Sequence, residues 1–255
     1  MDINPNAFPG QSPKALPLVE RTNKLSIEEF TSKYVPSPSL EIKGLGSITE
    51  AQKQSTDEKD RNDEETSYSL DIYTAKSIPT ADFDACFRLI ELTVANAYRS
   101  SGMGWSASKK RKEMRLPDMK YLILRRGSRD RTPAKSEEYP REGQLLGFLS
   151  FMVTYEDGKE VLYCYEIHLS PEAQGQGLGK QLMIRYEDIG RRIGLEKVML
   201  TVFKSNPKAM RFYERLGYVV DEFSPPVRIL RNGIVKEPEY LILSKPLKVP
   251  TSDAE

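Results

Sequence analysis

The stretch Gln174-Gly175-Gln176-Gly177-Leu178-Gly179-Lys180 constrains the fold of this chain more than any other. It directly follows a strand-like run, Val161 to Leu169, and opens a helix whose apolar residues Leu178, Leu182, Tyr186, Ile189 and Ile193 recur at 4-4-3-4 spacing. Glycines at such a turn leave backbone N–H groups exposed at the positive end of the helix dipole, an arrangement that suits a pyrophosphate. The turn lacks the closing Gly-Lys-Ser/Thr of a P-loop, which argues against nucleotide hydrolysis. It also fails the dinucleotide fingerprint, since Lys197 stands where an acid would end the second strand. The competing reading is structural: three glycines that merely permit a sharp turn.

The segment C-terminal to this helix narrows the choice. A strand, Val198 to Phe203, leads to Asn206-Pro207, where Asn suits a helix cap and Pro the first helical position. That helix presents Ala209, Phe212, Tyr213 and Leu216 on one face and stops at Gly217. Upstream, alternation over Tyr68 to Thr74 predicts a strand, and the spacing of Phe83, Phe87, Ile90, Val94 and Ala97 a helix reaching about Tyr98. A basic helix is expected from Ser106 to Met114, then strands at Tyr121 to Leu124 and Leu145 to Thr154, with a polar loop from Gly127 to Gly143 between them. Asp157-Gly158 marks a tight hairpin turn, so Val161 to Leu169 returns antiparallel. Strict alternation in that strand places Tyr163, Tyr165 and Ile167 on one face and Cys164, Glu166 and His168 on the other. Glu166 is thus an acid in an otherwise apolar strand.

Composition locates what does not fold this way. The apolar share is about 39%, counting Gly and leaving out Tyr, against about 45–50% for an average globular chain. Residues 1–66 account for most of that deficit: they are rich in Pro, Ser and Asn, and end in Asp57 to Glu65, with six acids and two bases. This segment is expected to be a partly disordered arm with one short helix, Ile27 to Tyr34, signalled by the capping pair Ser26 and Glu29. The domain proper is expected at 67–247 and a disordered tail at 248–255. Lys plus Arg (38) nearly cancel Asp plus Glu (37), so net charge calls for neither nucleic acid nor membrane. Two cysteines and one histidine exclude a disulfide framework and a multi-histidine metal centre, and no metal is expected. Cys164 as a nucleophile lacks a basic partner, and Lys109 to Lys112 reads as a solvated helix face. Without a signal pattern or an 18-residue apolar run, the chain reads as soluble and intracellular.

Two motifs in order, Gln174 to Gly179 and Asn206-Pro207-Lys208-Ala209-Met210-Arg211-Phe212-Tyr213-Glu214-Arg215-Leu216-Gly217-Tyr218, resemble those of the GCN5-related N-acetyltransferase (GNAT) family over about Ser67 to Lys245. Val161 to Glu166, Lys197 to Lys204, Ala97 to Trp105, Leu18-Val-Glu and Phe30 with Tyr34 look like the NatD branch, which acetylates the N-terminus of histones that begin Ser-Gly-Arg-Gly. Met103 departs from that branch, which tends to have an aromatic there. The resemblance implies an α/β (α+β) GNAT fold, a twisted, mostly antiparallel mixed sheet of about seven strands flanked by helices, splayed near Glu166. It implies acetyl-CoA as co-substrate and direct acetyl transfer to an amine. The backbone of Ile167, His168 and Leu169 would pair with the pantetheine arm. The amides of Gln174, Gly175, Gln176, Gly177, Leu178, Gly179 and Lys180 would hold the pyrophosphate, with Asn206 and Tyr213 near the sulfur.

Glu166 is the expected general base, because burial raises a carboxylate's pKa toward the useful range; a sheet-pairing Glu is the other reading. Tyr213 is the candidate acid for the departing thiolate, or a core residue beside Phe212. Tyr98, Trp105, Tyr165 and Tyr240 would wall a slot for a small first residue, Thr201 would bond its backbone, and Glu156 (with Glu160) would meet a histone arginine. The expected partners are histone tails and the ribosome, the expected state a monomer, the expected location nucleus and cytoplasm. Two rivals stay open: a lysine or small-amine acetyltransferase, and a silent module that binds acyl-CoA and histone tails.

Overall fold

The computed structural model describes residues 16–36, 39–40, 67–100, 102, 104–127, 143–229 and 231–248, with only the backbone described at 39–40, 96–98 and 100. The Gly127 to Gly143 loop between its two end glycines, the acidic run of the arm, Met103 and the last seven residues lie outside these. Four strands form an antiparallel meander: β2 (Tyr68–Thr74), β3 (Lys120–Arg126), β4 (Leu145–Glu156) and β5 (Lys159–Leu169). Two helices, α3 (Thr80–Ser100) and α4 (Ala107–Glu113), fall between β2 and β3. The β4–β5 turn is Asp157-Gly158 with φ of 47° and 78°, the left-handed pair that matches strand twist in a two-residue hairpin.

After β5 the chain turns through the glycine loop into α5 (Leu178–Ile193), then β6 (Lys197–Phe203) and α6 (Pro207–Arg215). Parallel strands need a crossover, and α5 supplies it, so β6 pairs parallel with β5. β7 (Val219–Val220) and β10 (Tyr240–Pro246) complete the far edge, and β8 (Arg228–Ile229) and β9 (Val235–Lys236) form a separate hairpin. The sheet order is β1-β2-β3-β4-β5-β6-β10-β7, where β1 (Ser39–Leu40) is a two-residue addition from the arm. The remaining seven strands are the mostly antiparallel sheet that the sequence led us to expect.

Two irregularities build the site. The β5–β6 ladder runs only from Val161 opposite Lys197 to Cys164 opposite Leu200, after which the strands part while β6 stays paired with β10 to Phe203. Alongside, β5 carries a bulge against β4: Glu166 faces Ser150 and Cys164 faces Phe151, so Tyr165 is an extra residue. A bulge shifts the alternation by one. Leu162 and Cys164 therefore join the apolar layer beneath α5, whereas Tyr165 packs on the opposite layer, to whose side Glu166 and His168 also turn. This corrects the strict alternation expected from sequence, which placed Cys164 and Glu166 on one face.

The two apolar layers sit on either side of the sheet. One gathers α5, Tyr213 of α6 and Val19 and Phe30 of the arm against Leu122, Leu149, Phe151 and Leu162; the other gathers α3 and Met114 against Tyr121, Ile123 and Phe148. The arm contributes α1 (Leu18–Asn23) and α2 (Ile27–Tyr34), the latter closed by the reciprocal Ser26–Glu29 capping box. It is anchored by the fully buried Phe30, 6.3 Å ring to ring from Phe151, and by Asn23 Nδ2 donating to the Val153 carbonyl at 2.9 Å.

Candidate active site

Where β5 and β6 part, a cleft of about 1240 Å³ opens, floored by Tyr163 to Leu169 and Leu200 to Phe203 and bounded by the glycine loop, Asn206, Phe212, Tyr213, Tyr240 and Thr93. On the side facing β6, the backbone of Ile167, His168 and Leu169 continues past the end of the ladder, as an added strand would require. At one end, Gly175 and Gly177 adopt φ of 77° and 78°, and a Cβ at either would meet no atom within 4 Å. Gly177 is the N-cap of the 16-residue α5 and offers no side chain to its first turn, so the amides of Leu178, Gly179 and Lys180 lack an intrahelical acceptor. Open space, orphan donors and the positive helix end fit a pyrophosphate. Gln176 departs from this set: its side chain bonds Tyr68 and the Glu172 carbonyl and does not line the cleft.

Glu166 is buried at the point of divergence and both its oxygens are engaged. Lys110 Nζ donates to Oε1 at 2.7 Å, and His168 Nε2 lies 2.6 Å from Oε2. Lys110 also donates to Glu113 at 2.9 Å, and His168 Nδ1 sits 2.7 Å from Thr93 Oγ1. Two expectations change here. Burial does push the Glu166 carboxyl toward protonation, but the hydrogen bonds and charges of His168 and Lys110 together outweigh it and hold the group below the ordinary carboxylate value. And the run Lys109 to Lys112 is not simply a solvated face: Lys110 is 6% exposed, and Arg111 bonds Asp84 at 2.6 Å while lying over the Phe87 ring.

Other residues fall on both sides of expectation. Tyr213 lines the cleft and also packs edge-on against Phe212 at 5.2 Å. Burial, with Cys164 and Glu166 nearby, pushes its phenol well above the usual range, keeping it protonated. Asn206 lines the cleft, but its side-chain oxygen caps α6 by accepting from Ala209 N. Tyr165, Thr201 and Tyr240 line the cleft. Trp105 does not; it stacks on Phe87 at 6.2 Å in the layer beneath α3. Glu156 also lies off the cleft wall, half-buried at the end of β4, its pKa raised by burial and by Asp157. The Tyr98 side chain lies outside the described residues. Burial pushes the Cys164 thiol up, which suits an inert core sulfur.

Sequence reasoning missed Thr93, Lys110, Glu113 and Tyr163. Tyr163 donates to or accepts from Thr201 Oγ1 at 2.6 Å and packs 5.5 Å from Tyr165, giving the cleft a tyrosine wall. Its signal was present in the Tyr-Cys-Tyr alternation. Nothing local marks Lys110 as buried, because its partner is 56 residues away.

A parallel β–α–β unit with a glycine turn, opened by the parting of its two strands, frames this cleft. Residues 104–218 match the Acetyltransferase (GNAT) family model. The chain is 29% identical over 180 residues to N-alpha-acetyltransferase 40 of Saccharomyces cerevisiae, covering 59% of this chain and 58% of that protein. It is 42% identical over 91 residues to the mycothiol acetyltransferase of Thermomonospora curvata, covering 34% of this chain and 30% of that one. The matches thus span less than two thirds of these relatives' own length. The ribosomal-protein-S18-alanine N-acetyltransferase of Escherichia coli superposes with a TM-score of 0.44 at 18% identity, over 73% of this chain and 99% of that one.

Proposed function

We propose that this protein transfers acetyl from acetyl-CoA to the free α-amine of a protein N-terminus, with histones beginning Ser-Gly-Arg-Gly as the substrate class. The observation that carries the reading is the parting of β5 and β6 beyond Cys164, which gives one cleft a glycine-loop end and a tyrosine-walled end. Bound acetyl-CoA supplies the activated acetyl group. The glycine-loop amides hold its pyrophosphate, and the free backbone of Ile167 to Leu169 aligns its arm. An α-amine, with a pKa of about 7.7–8.0, is partly protonated at neutral pH and must be deprotonated before it attacks. The ionised Glu166 centre, with Lys110 and His168 on its two oxygens, provides for that through one water. Tyr213, held protonated, donates toward the departing sulfur. Tyr165, Tyr163, Thr201 and Tyr240 narrow the amine end to a small first residue, and Glu156, near the tyrosines, attracts a cationic third residue. Support for N-terminal over lysine acetylation comes from the similarity to N-alpha-acetyltransferase 40. On this reading the partners are histone tails and the ribosome, and the sites of action nucleus and cytoplasm.

The test is mass spectrometry of a Ser-Gly-Arg-Gly-Lys peptide incubated with enzyme and acetyl-CoA, beside the same peptide with a blocked N-terminus. Acetyl should appear on the free peptide alone. Equal acetylation of the blocked peptide would move the assignment to lysine, and acetyl-CoA binding without turnover would move it to a silent module.

A further inference from the structure

Glu166 does not end the chain of polar contacts at the site. Beyond it, His168 is 7% exposed, its ring 5.6 Å from that of Phe148, with both nitrogens in contact. Nε2 faces Glu166 Oε2 at 2.6 Å, and Nδ1 faces Thr93 Oγ1 at 2.7 Å. Thr93 lines the cleft, and its hydroxyl also reaches the Leu89 carbonyl at 2.7 Å. A hydroxyl has one hydrogen, so it donates either to Leu89 or to the imidazole.

That arithmetic leaves two states. Because Lys110 and Glu166 form an ion pair, Oε2 accepts, and Nε2 carries a hydrogen in both. In the first state the imidazole is neutral and Nδ1 accepts from Thr93. In the second Nδ1 is protonated and donates to Thr93, whose hydrogen has turned to Leu89. Every donor has an acceptor in each state, and they differ by one proton that enters from the cleft.

We propose that Thr93, His168 and Glu166 form a proton relay in which the substrate's proton comes to rest on His168, while Glu166 stays ionised and fixes the imidazole. This deepens the acetyl-transfer reading and rests on it. The substrate ammonium releases one proton, through a water, to Thr93 Oγ1. The hydrogen that Thr93 held passes to His168 Nδ1, and the one just received turns to Leu89. The neutral amine then attacks; its N–C bond forms as the C–S bond breaks, Tyr213 gives its proton to the leaving sulfur, and the second proton from nitrogen restores the phenol. Histidine is suited to the task because its imidazole carries a hydrogen on one nitrogen or on both. Among the described residues, the charged and titratable groups around the pair are Lys110 and Glu113 of α4, Tyr121 of β3, Cys164 of β5 and Tyr213 of α6.

His168 is the chain's single histidine, so a protein labelled with ¹⁵N-histidine reports on this ring alone. At pH 9 the spectrum should show Nε2–H with a bare Nδ1, and titration toward pH 5 should load Nδ1. In peptide acetylation, the acid limb of kcat should follow that titration. His168→Gln keeps a donor for Glu166 but cannot hold the proton; it should lower kcat about a hundredfold and detach the limb from the titration, at unchanged acetyl-CoA affinity. Thr93→Val should lower kcat about tenfold and Thr93→Ser should restore it, a contrast that lost packing does not produce. An Nδ1–H tautomer at pH 9, or a His168→Gln enzyme with wild-type kcat and pH profile, would overturn the relay. Absence of peptide acetylation by the wild type would instead defeat the substrate reading, with the tautomer at pH 9 still deciding the relay.

Discussion

His168 Nε2 lies 2.6 Å from Glu166 Oε2, a contact between side chains two residues apart on one strand. Residues i and i+2 share a sheet face, so the pair needs no tertiary assembly beyond an extended β5. Lys110 is different, since it comes from α4 and ties that helix to the sheet at 2.7 Å.

Lys110→Met should therefore act on stability as well as turnover. Removing one partner of a buried ion pair leaves the other uncompensated, at a cost of about 3–5 kcal/mol. Glu166 has a lowered pKa in the folded protein, so it stabilises the fold above the unfolded-state value of about 4.3, and that contribution is lost as pH falls through the folded value. Without Lys110 the folded value rises. Acid unfolding followed by circular dichroism should then begin at higher pH than in the wild type.

The glycine loop predicts a different signature. Gly177 sits at φ 78°, where an L side chain costs about 1–2 kcal/mol, in front of amides that would contact phosphate. Gly177→Ala should weaken acetyl-CoA binding, read by calorimetry, more than it lowers kcat at saturation.

Gly147 marks a close approach of β4 to β5. A Cβ there would meet the His168 carbonyl oxygen at 2.6 Å and would clash with Leu169 Cδ2. Overpacking of this kind costs about 1–3 kcal/mol, so Gly147→Ala should lower Tm. Because the displaced strand forms the cleft floor, KM for acetyl-CoA should rise with it.

A titrating group of the sheet, Lys120 of β3, lies against the arm. Burial lowers the pKa of Lys120 to about 8, where its Nζ lies 5.0 Å from the Phe30 ring and 3.2 Å from Asn23 Oδ1. Between that value and about 10.4, the unfolded chain binds a proton the folded one has released, so this group makes stability rise with pH. Measured at pH 7.5 and 9.5, the Tm of the wild type should gain on that of Lys120→Met as pH increases.

How far the sequence carried these conclusions depended on the range of the interactions involved. The Asp157-Gly158 turn, the Ser26–Glu29 cap, the Asn206-Pro207 helix start and the glycine loop are local signals, and each appears where its residues stand. The bulge at Tyr165 is not local: Val161 to Leu169 is apolar or aromatic on both faces, so no alternation reveals the slip that separates Glu166 from Cys164. Lys110 sits in a run of four basic residues, and only the approach of α4 to β5 distinguishes it from Lys109. The low carboxyl pKa of Glu166 follows from that same approach, which is why burial alone gave the wrong direction.

The central claim is that the Glu166 centre deprotonates an N-terminal amine for acetyl transfer in this cleft. It is tested most directly by the rate of acetylation of Ser-Gly-Arg-Gly-Lys by Glu166→Gln beside the wild type, with acetyl-CoA affinity measured on both. The expected result is a fall in kcat of about 10²–10³-fold with affinity retained. A near-normal kcat across pH 6 to 9 would contradict it.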